Sequence, residues 1–468
     1  MNVSSDVATF GPLRIASVHS RLPLAELPAS PMIAVPWHLR RIASDCIELP
    51  KVPLPSLTHV RVPGLDCTIA LPSYGGDAVQ TFRDYVGALQ RKGIFASGDP
   101  AFAEDEQRIA TLLQTTTATQ APQPRLSGRP VVGIVVSSPL MLLDRDHSRL
   151  ESHAYLKDAI ARIRAEGGEP VIIPPCADIH APNPGTVTRI AACRALAQPL
   201  RGMVGMGGDD IDASMHGASN ELCINTNHAR DEFEACFARI ALSRPLFALG
   251  VCRSHQLWNV IFGGTMFTDV QRQGASSVPQ SQRGIELPLS EPYVLRDAKG
   301  NVLFANWVEL AVGSQLSHLV RPFAAGCSAA MQPWAGAGLL AILTNSNHHQ
   351  AVARIGVGFK LAGWSPDAKA GVSLIESTER WNALTSQWHP EYMKDPMQRG
   401  ILRTVVNRAA IFDRLHDLVA RGSGDVATIY SWAKARNRFS DADLLWIKTD
   451  LARNFEHVRR VIEADLGH

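Results

Sequence analysis

The chain has 468 residues, of which 46% are hydrophobic and 19% charged, and its net charge is +2. That length suits about two to four domains. The near-balanced charge gives no electrostatic case for a nucleic-acid partner, and no apolar run reaches the ~20 residues of a membrane span. The N-terminus lacks a basic stretch leading into an apolar core, so no standard secretory signal is visible. Eight cysteines (Cys46, Cys67, Cys176, Cys193, Cys223, Cys236, Cys252 and Cys327) stand singly, without a CxxC pair or a zinc-finger spacing. Reduced thiols in a cytoplasmic compartment are the simplest reading.

Residues 1–114 are broken by prolines from Pro12 to Pro63 and form a region without an assigned role. One helix is expected there, from Asp77 to Lys92, with Val79, Phe82, Val86 and Leu89 on one face. Residues 115–128, rich in Thr, Gln and Pro, read as a linker. From 129 to 400 the texture changes. The β-branched run Val131 to Val136 predicts a strand buried on both faces. A helix follows over Tyr155–Ala165, with Leu156, Ala159, Ile160 and Ile163 on one side and Gly167-Gly168 at its end. Further strands are expected at Val171–Ile173, Met203–Met206 and Pro245–Leu249. Strands alternating with helices predict an α/β fold with a doubly wound, mostly parallel sheet and helices on both faces. The tail, 401–468, reads as a helical extension. Ser440 and Asp443 form a capping box there, and Leu444, Ile447, Leu451, Phe455, Val458 and Ile462 make a packing stripe for the domain or for a partner.

In doubly wound sheets the functional loops gather at the carboxyl ends of the strands. Gly250-Val251-Cys252-Arg253-Ser254-His255-Gln256 lies at such an end, where a strand turns sharply into a helix. A helix N-terminus favours negative charge, and a thiolate attacks carbonyl carbon. Downstream, Gln387-Trp388-His389-Pro390-Glu391 offers an imidazole as base, with Glu391 to hold its tautomer and orientation. Upstream, Gly207-Gly208 follows a strand, and their N–H groups can join that of Arg253 as an oxyanion site. Asp209, Asp210 and Asp212 suggest a metal, but hard cations need more converging oxygens than one loop offers. The adjacent His348 and His349 would face opposite ways on a strand and could not share one ion there. Neither a metal nor a cofactor is expected.

These segments, in this order, resemble the class I glutamine amidotransferase superfamily, and within it the gamma-glutamyl hydrolase branch, the peptidase C26 group. The resemblance is carried by Cys252-Arg253, His255-Gln256, Asn259-Val260, Gly263-Gly264-Thr265, the intact segment His348 to Val352, and the closing Gln387 to Glu391. It covers roughly residues 129–400. Two positions depart from the pattern. Ser254 stands where the group has glycine, and Ala213 where it has proline. The resemblance implies a hydrolase that opens gamma-glutamyl amides through a glutamyl thioester. Cys252, His389 and Glu391 would be its triad. Gln256, Ser346, His348 and His349 would contact the small-molecule substrate, and the side chain of Arg253 would either help them or serve the structure. Two other readings are an ammonia-supplying glutaminase subunit and a scaffold that keeps the fold without the activity. No membrane or nucleic-acid partner is expected. Self-association, or a protein partner through the N-terminal region or the C-terminal helix, stays open.

Overall fold

The structure of the protein, a computed structural model, describes residues 53–61, 67–92, 119–120, 129–136, 151–273, 295–296, 302–303, 306–323, 331–333, 340–346, 348–367, 372–392 and 396–467. Its centre is a run of parallel strands in the spatial order Thr68–Ser73, Glu169–Ile173, Val131–Val135, Gly202–Gly205, Phe247–Val251 and Ala383–Ser386. Val131–Val135, Gly202–Gly205 and Phe247–Val251 are buried at every position, as strands covered by helices on both faces must be. Past Ala383–Ser386 the sheet continues antiparallel through Val372–Arg380, Lys360–Asp367, Asn306–Leu310 and Leu340–Thr344.

The expected helices form. Glu151–Ala165 buries Leu156, Ala159, Ile160 and Ile163 and ends at Gly167, whose φ of 86° is the left-handed conformation that glycine takes freely. Ala78–Arg91 buries Phe82, Tyr85, Val86 and Leu89, and the Tyr85 hydroxyl donates to the Pro175 carbonyl at 2.8 Å.

Two regions outside the expected 129–400 domain join the same sheet and core. Thr68–Ser73 pairs in parallel with Glu169–Ile173, and Ser56–Arg61 lies antiparallel to it. Of the expected linker only Thr119–Gln120 is among the described residues, and it pairs with Ser56–Arg61 on the side away from Thr68–Ser73. At the other end, helix Pro396–Ala420 runs through the expected boundary at 400 and packs beneath Gly202–Gly205 and Phe247–Val251. The tail folds onto it. Ile447, Leu451, Val458 and Ile462 are fully buried, Leu444 and Phe455 pack against the core, and the Trp446 indole donates to the Trp381 carbonyl at 2.6 Å. The predicted capping box at Ser440 and Asp443 is present. The stripe thus serves the domain. Among the described residues no helix is long and apolar enough to cross a membrane.

Candidate active site

The buried strand Phe247–Val251 ends at Cys252, whose φ and ψ are 48° and −105°. Such a conformation costs a non-glycine residue about 1–3 kcal/mol and persists only where its surroundings dictate it. Here the Cys252 N–H donates to the Ser386 carbonyl of the neighbouring strand at 2.7 Å, and the Cys252 carbonyl accepts from the Gln256 N–H at 3.1 Å. Helix Arg253–Ile261, buried along its whole length, starts at the next residue. The turn therefore delivers the sulfur to the carboxyl edge of the sheet at a helix N-terminus.

Strand Ala383–Ser386, the parallel partner of Phe247–Val251, leads into Gln387-Trp388-His389. The Gln387 amide nitrogen lies 3.6 Å from the Cys252 sulfur. His389 hydrogen-bonds the Cys252 side chain, and its Nδ1 lies 2.8 Å from Glu391 Oε1. A carboxylate can only accept, so Nδ1 carries its proton toward Glu391 and Nε2 is left to the sulfur. Burial opposes charge on this imidazole. The charges of Glu391 and Cys252 outweigh burial and push His389 up to about 10. The backbone of His389 is clamped as well. Its N–H donates to Asn345 Oδ1 at 2.8 Å, and its carbonyl accepts from Asn345 Nδ2 at 3.0 Å.

The Gly207-Gly208 loop closes the third side. A Cβ on Gly207 would fall 2.6 Å from His389 Cε1 and 3.3 Å from Cys252 Cβ, so only glycine lets this backbone lie against both side chains. The loop beyond is tied down. Burial works against the Asp212 charge, but hydrogen bonds from Ser214, Asn220 and His228 prevail and bring it to about 2. Ser254 fits by a local exchange. Its Oγ donates to the Met206 carbonyl at 2.9 Å, in space that Gly205 leaves open; a Cβ there would sit 2.5 Å from that oxygen.

The remaining expected residues are placed differently. The Arg253 side chain is 1% exposed and held by Asp231 and Glu234, so it serves the structure and cannot grip a substrate. Gln256 is also buried, and its amide nitrogen is committed to the Gln350 carbonyl and Gln387 Oε1, each at 3.1 Å. His348 is buried, which lowers it to about 4 and keeps it neutral, and its Nδ1 donates to the Gln350 carbonyl at 2.7 Å. His349 bridges two loops, with Nε2 at 2.7 Å from Asp210 and Nδ1 at 3.6 Å from Asp269. Gln256 and His349 are thus occupied within the fold, whereas His348 Nε2 is buried without a hydrogen-bond partner, 4.0 Å from Glu376 Oε1. Ser346 is buried beside Asn345. Among the described residues no group of His, Cys, Asp and Glu is arranged to hold a metal ion.

Gln387 belongs to the closing motif and Asn345 opens the segment that carries the two histidines, but nothing in the sequence assigned either a role of its own. Asp231 and Glu234 were missed altogether. Their spacing of three on one helix, opposite a basic residue beside the nucleophile, was the available signal.

Comparison with known proteins identifies the family of the chain. The peptidase C26 family profile matches residues 130–391, more than half of the chain. A Rickettsia prowazekii protein named for its likeness to glutamine amidotransferases is 23% identical over 291 residues, 57% of this chain and 92% of its own length. Protein NtpR of Enterococcus hirae is 30% identical over 189 residues, 40% of this chain and 64% of its own. A Mycobacterium tuberculosis protein that carries a glutamine amidotransferase name is 25% identical over 256 residues, 54% of this chain and 67% of its own. With its cysteine elbow at the sheet edge, the chain belongs to the peptidase C26 family and is a hydrolase of the glutamine amidotransferase type.

Proposed function

We propose that the protein hydrolyses gamma-glutamyl amides by covalent catalysis. The observation that carries this reading is the line Glu391–His389–Cys252, hydrogen-bonded end to end behind a strained nucleophile turn. The Cys252 sulfur, as thiolate, attacks the gamma-carbonyl carbon. The carbonyl π pair moves to oxygen, where backbone N–H groups of Gly207, Gly208 and Arg253 receive the charge. The oxyanion collapses, the C–N bond breaks, and the leaving amine takes its proton from imidazolium His389. A glutamyl thioester remains. Water then gives a proton to His389 and attacks the thioester carbon. The C–S bond breaks, glutamate leaves, and the thiolate re-forms beside the imidazolium.

Ser346, His348 and His349, on the loop before strand Ala351–Arg354, are the candidates for substrate contact. Gln256 contributes by holding that loop through the Gln350 carbonyl. Glutamine is itself a gamma-glutamyl amide whose amine is ammonia, so a glutaminase role uses the same steps with a different acceptor. Glutamate release from a panel of gamma-glutamyl amides, glutamine included, tests the proposal. Cys252→Ala is expected to lower turnover about 10⁴-fold or more. Undiminished turnover in that variant, or no turnover of any panel member by the wild type, refutes it.

A further inference from the structure

Helix His228–Leu242 touches none of the reacting atoms, yet it carries Arg230, Asp231 and Glu234, which are 4%, 0% and 4% exposed. Two chains of contacts run through these side chains. Both begin at Arg253, the residue after the nucleophile. In the first, Arg253 Nη2 donates to Asp231 Oδ1, and Asp231 Oδ2 accepts the backbone N–H of Asp212 at 2.9 Å. In the second, Arg253 Nη1 donates to Glu234 Oε2, and Glu234 Oε1 faces Arg230 Nε at 3.2 Å, a distance of ion pairing without the alignment of a hydrogen bond. Arg230 Nη1 then reaches Asp209 Oδ2 at 3.2 Å. The two chains thus leave one residue of the cysteine turn and arrive at both ends of segment 209–212. That segment continues directly from Gly207-Gly208.

Stability alone does not account for such a network. Buried ion pairs of this kind often do no better than apolar side chains of the same volume. What they do provide is direction, because each bond here has one partner at one distance. We propose that Asp231 and Glu234 are positioning residues that fix the Gly207-Gly208 backbone relative to the Cys252 sulfur, and so place the oxyanion donors. The two carboxylates act on different parts of the loop. Asp231 holds its backbone, and Glu234 holds its exposed acidic tip through Arg230. The proposal rests on the thioester reaction above, whose oxyanion must be met by donors already in place.

The test uses the full chain with Asp231→Asn and Glu234→Gln, which preserve size and remove charge. Turnover number for a gamma-glutamyl amide should fall about 10- to 100-fold, the usual effect of a displacement near 1 Å at a reacting centre, with KM nearly unchanged. Alkylation of Cys252 by iodoacetamide needs no oxyanion site and should keep its wild-type rate and pH profile. Amide hydrogen exchange across 206–212 should accelerate while that across 383–391 stays as in the wild type. Unchanged turnover together with unchanged exchange overturns the proposal. So does a loss of alkylation in step with turnover, the sign of general loosening. If the wild type cleaves no gamma-glutamyl amide, the functional reading fails, and exchange over 206–212 still decides whether these carboxylates position the loop.

Discussion

Cys252 shows how a single side chain acquires chemistry from its backbone. Its positive φ is imposed from outside, by the Ser386 carbonyl on one side and the first turn of the helix on the other. The same economy of space governs Gly207. Gly207→Ala would put a methyl group 2.6 Å from His389 Cε1. We expect turnover to drop about 100-fold as the imidazole is displaced, with little change in melting temperature because the residue lies on a half-buried loop. An active Gly207→Ala enzyme would show that the loop gives way instead. His389 supplies a pH prediction. Its value is raised above the ordinary 6.5, so the imidazolium persists through neutral pH and is lost as pH rises through about 10. Turnover should therefore fall on an alkaline limb near pH 10. Glu391→Gln removes the charge that does most to raise it, and should move that limb to lower pH in a pH–rate profile.

At the scale of elements, the site is three loops laced together across a sheet edge. His349 is one lace, joining the loop after Gly207-Gly208 to the one that follows strand Thr265–Phe267. Its value is raised, chiefly by the hydrogen bond to Asp210. A group raised on folding stabilises the native state fully below its unfolded value, and that contribution disappears as pH climbs through the folded one. Denaturant unfolding of His349→Gln and wild type at pH 6 and pH 9 checks this. The variant should be the less stable of the two by a wider margin at pH 6. Equal margins at both pH values would show that the bridge does not depend on the imidazolium. The cysteine helix was legible in the sequence because its apolar approach and its motif are local. The helix that carries Asp231 and Glu234 was not, because its buried charges mask the apolar face on which periodicity depends.

Across the whole molecule, one hydrophobic cluster extends from Val60 to Ile462. The strands before residue 74 and the helices after residue 420 are part of it. Ile69, fully buried on the parallel strand Thr68–Ser73, and Trp446, which stacks edge-on against Phe247 and Phe412, mark its two ends. Ile69→Ala should cost about 2–5 kcal/mol and Trp446→Ala about 3–5 kcal/mol. Both variants should unfold in a single transition, seen alike by far-UV circular dichroism and tryptophan fluorescence. Separate transitions in either variant would mean that the end concerned folds as its own unit.

Much of this chain follows from requirements that are local. Buried parallel strands must be short apolar runs, a nucleophile turn must sit between such a run and a helix, and a base must be carried with its orienting carboxylate. The segments around Val131, Cys252 and His389 meet those requirements in full view. Pairings between residues far apart in sequence came from the folded chain alone. Thr68–Ser73 joins the sheet beside Glu169–Ile173, Gly205 makes room for Ser254, and Asn345 clamps His389 from 44 positions away. Arg253 and Gln256 turn inward to buried partners for the same reason. Which polar group satisfies another in a closed interior depends on what the fold brings within about 3 Å, and no spacing along the chain encodes that distance.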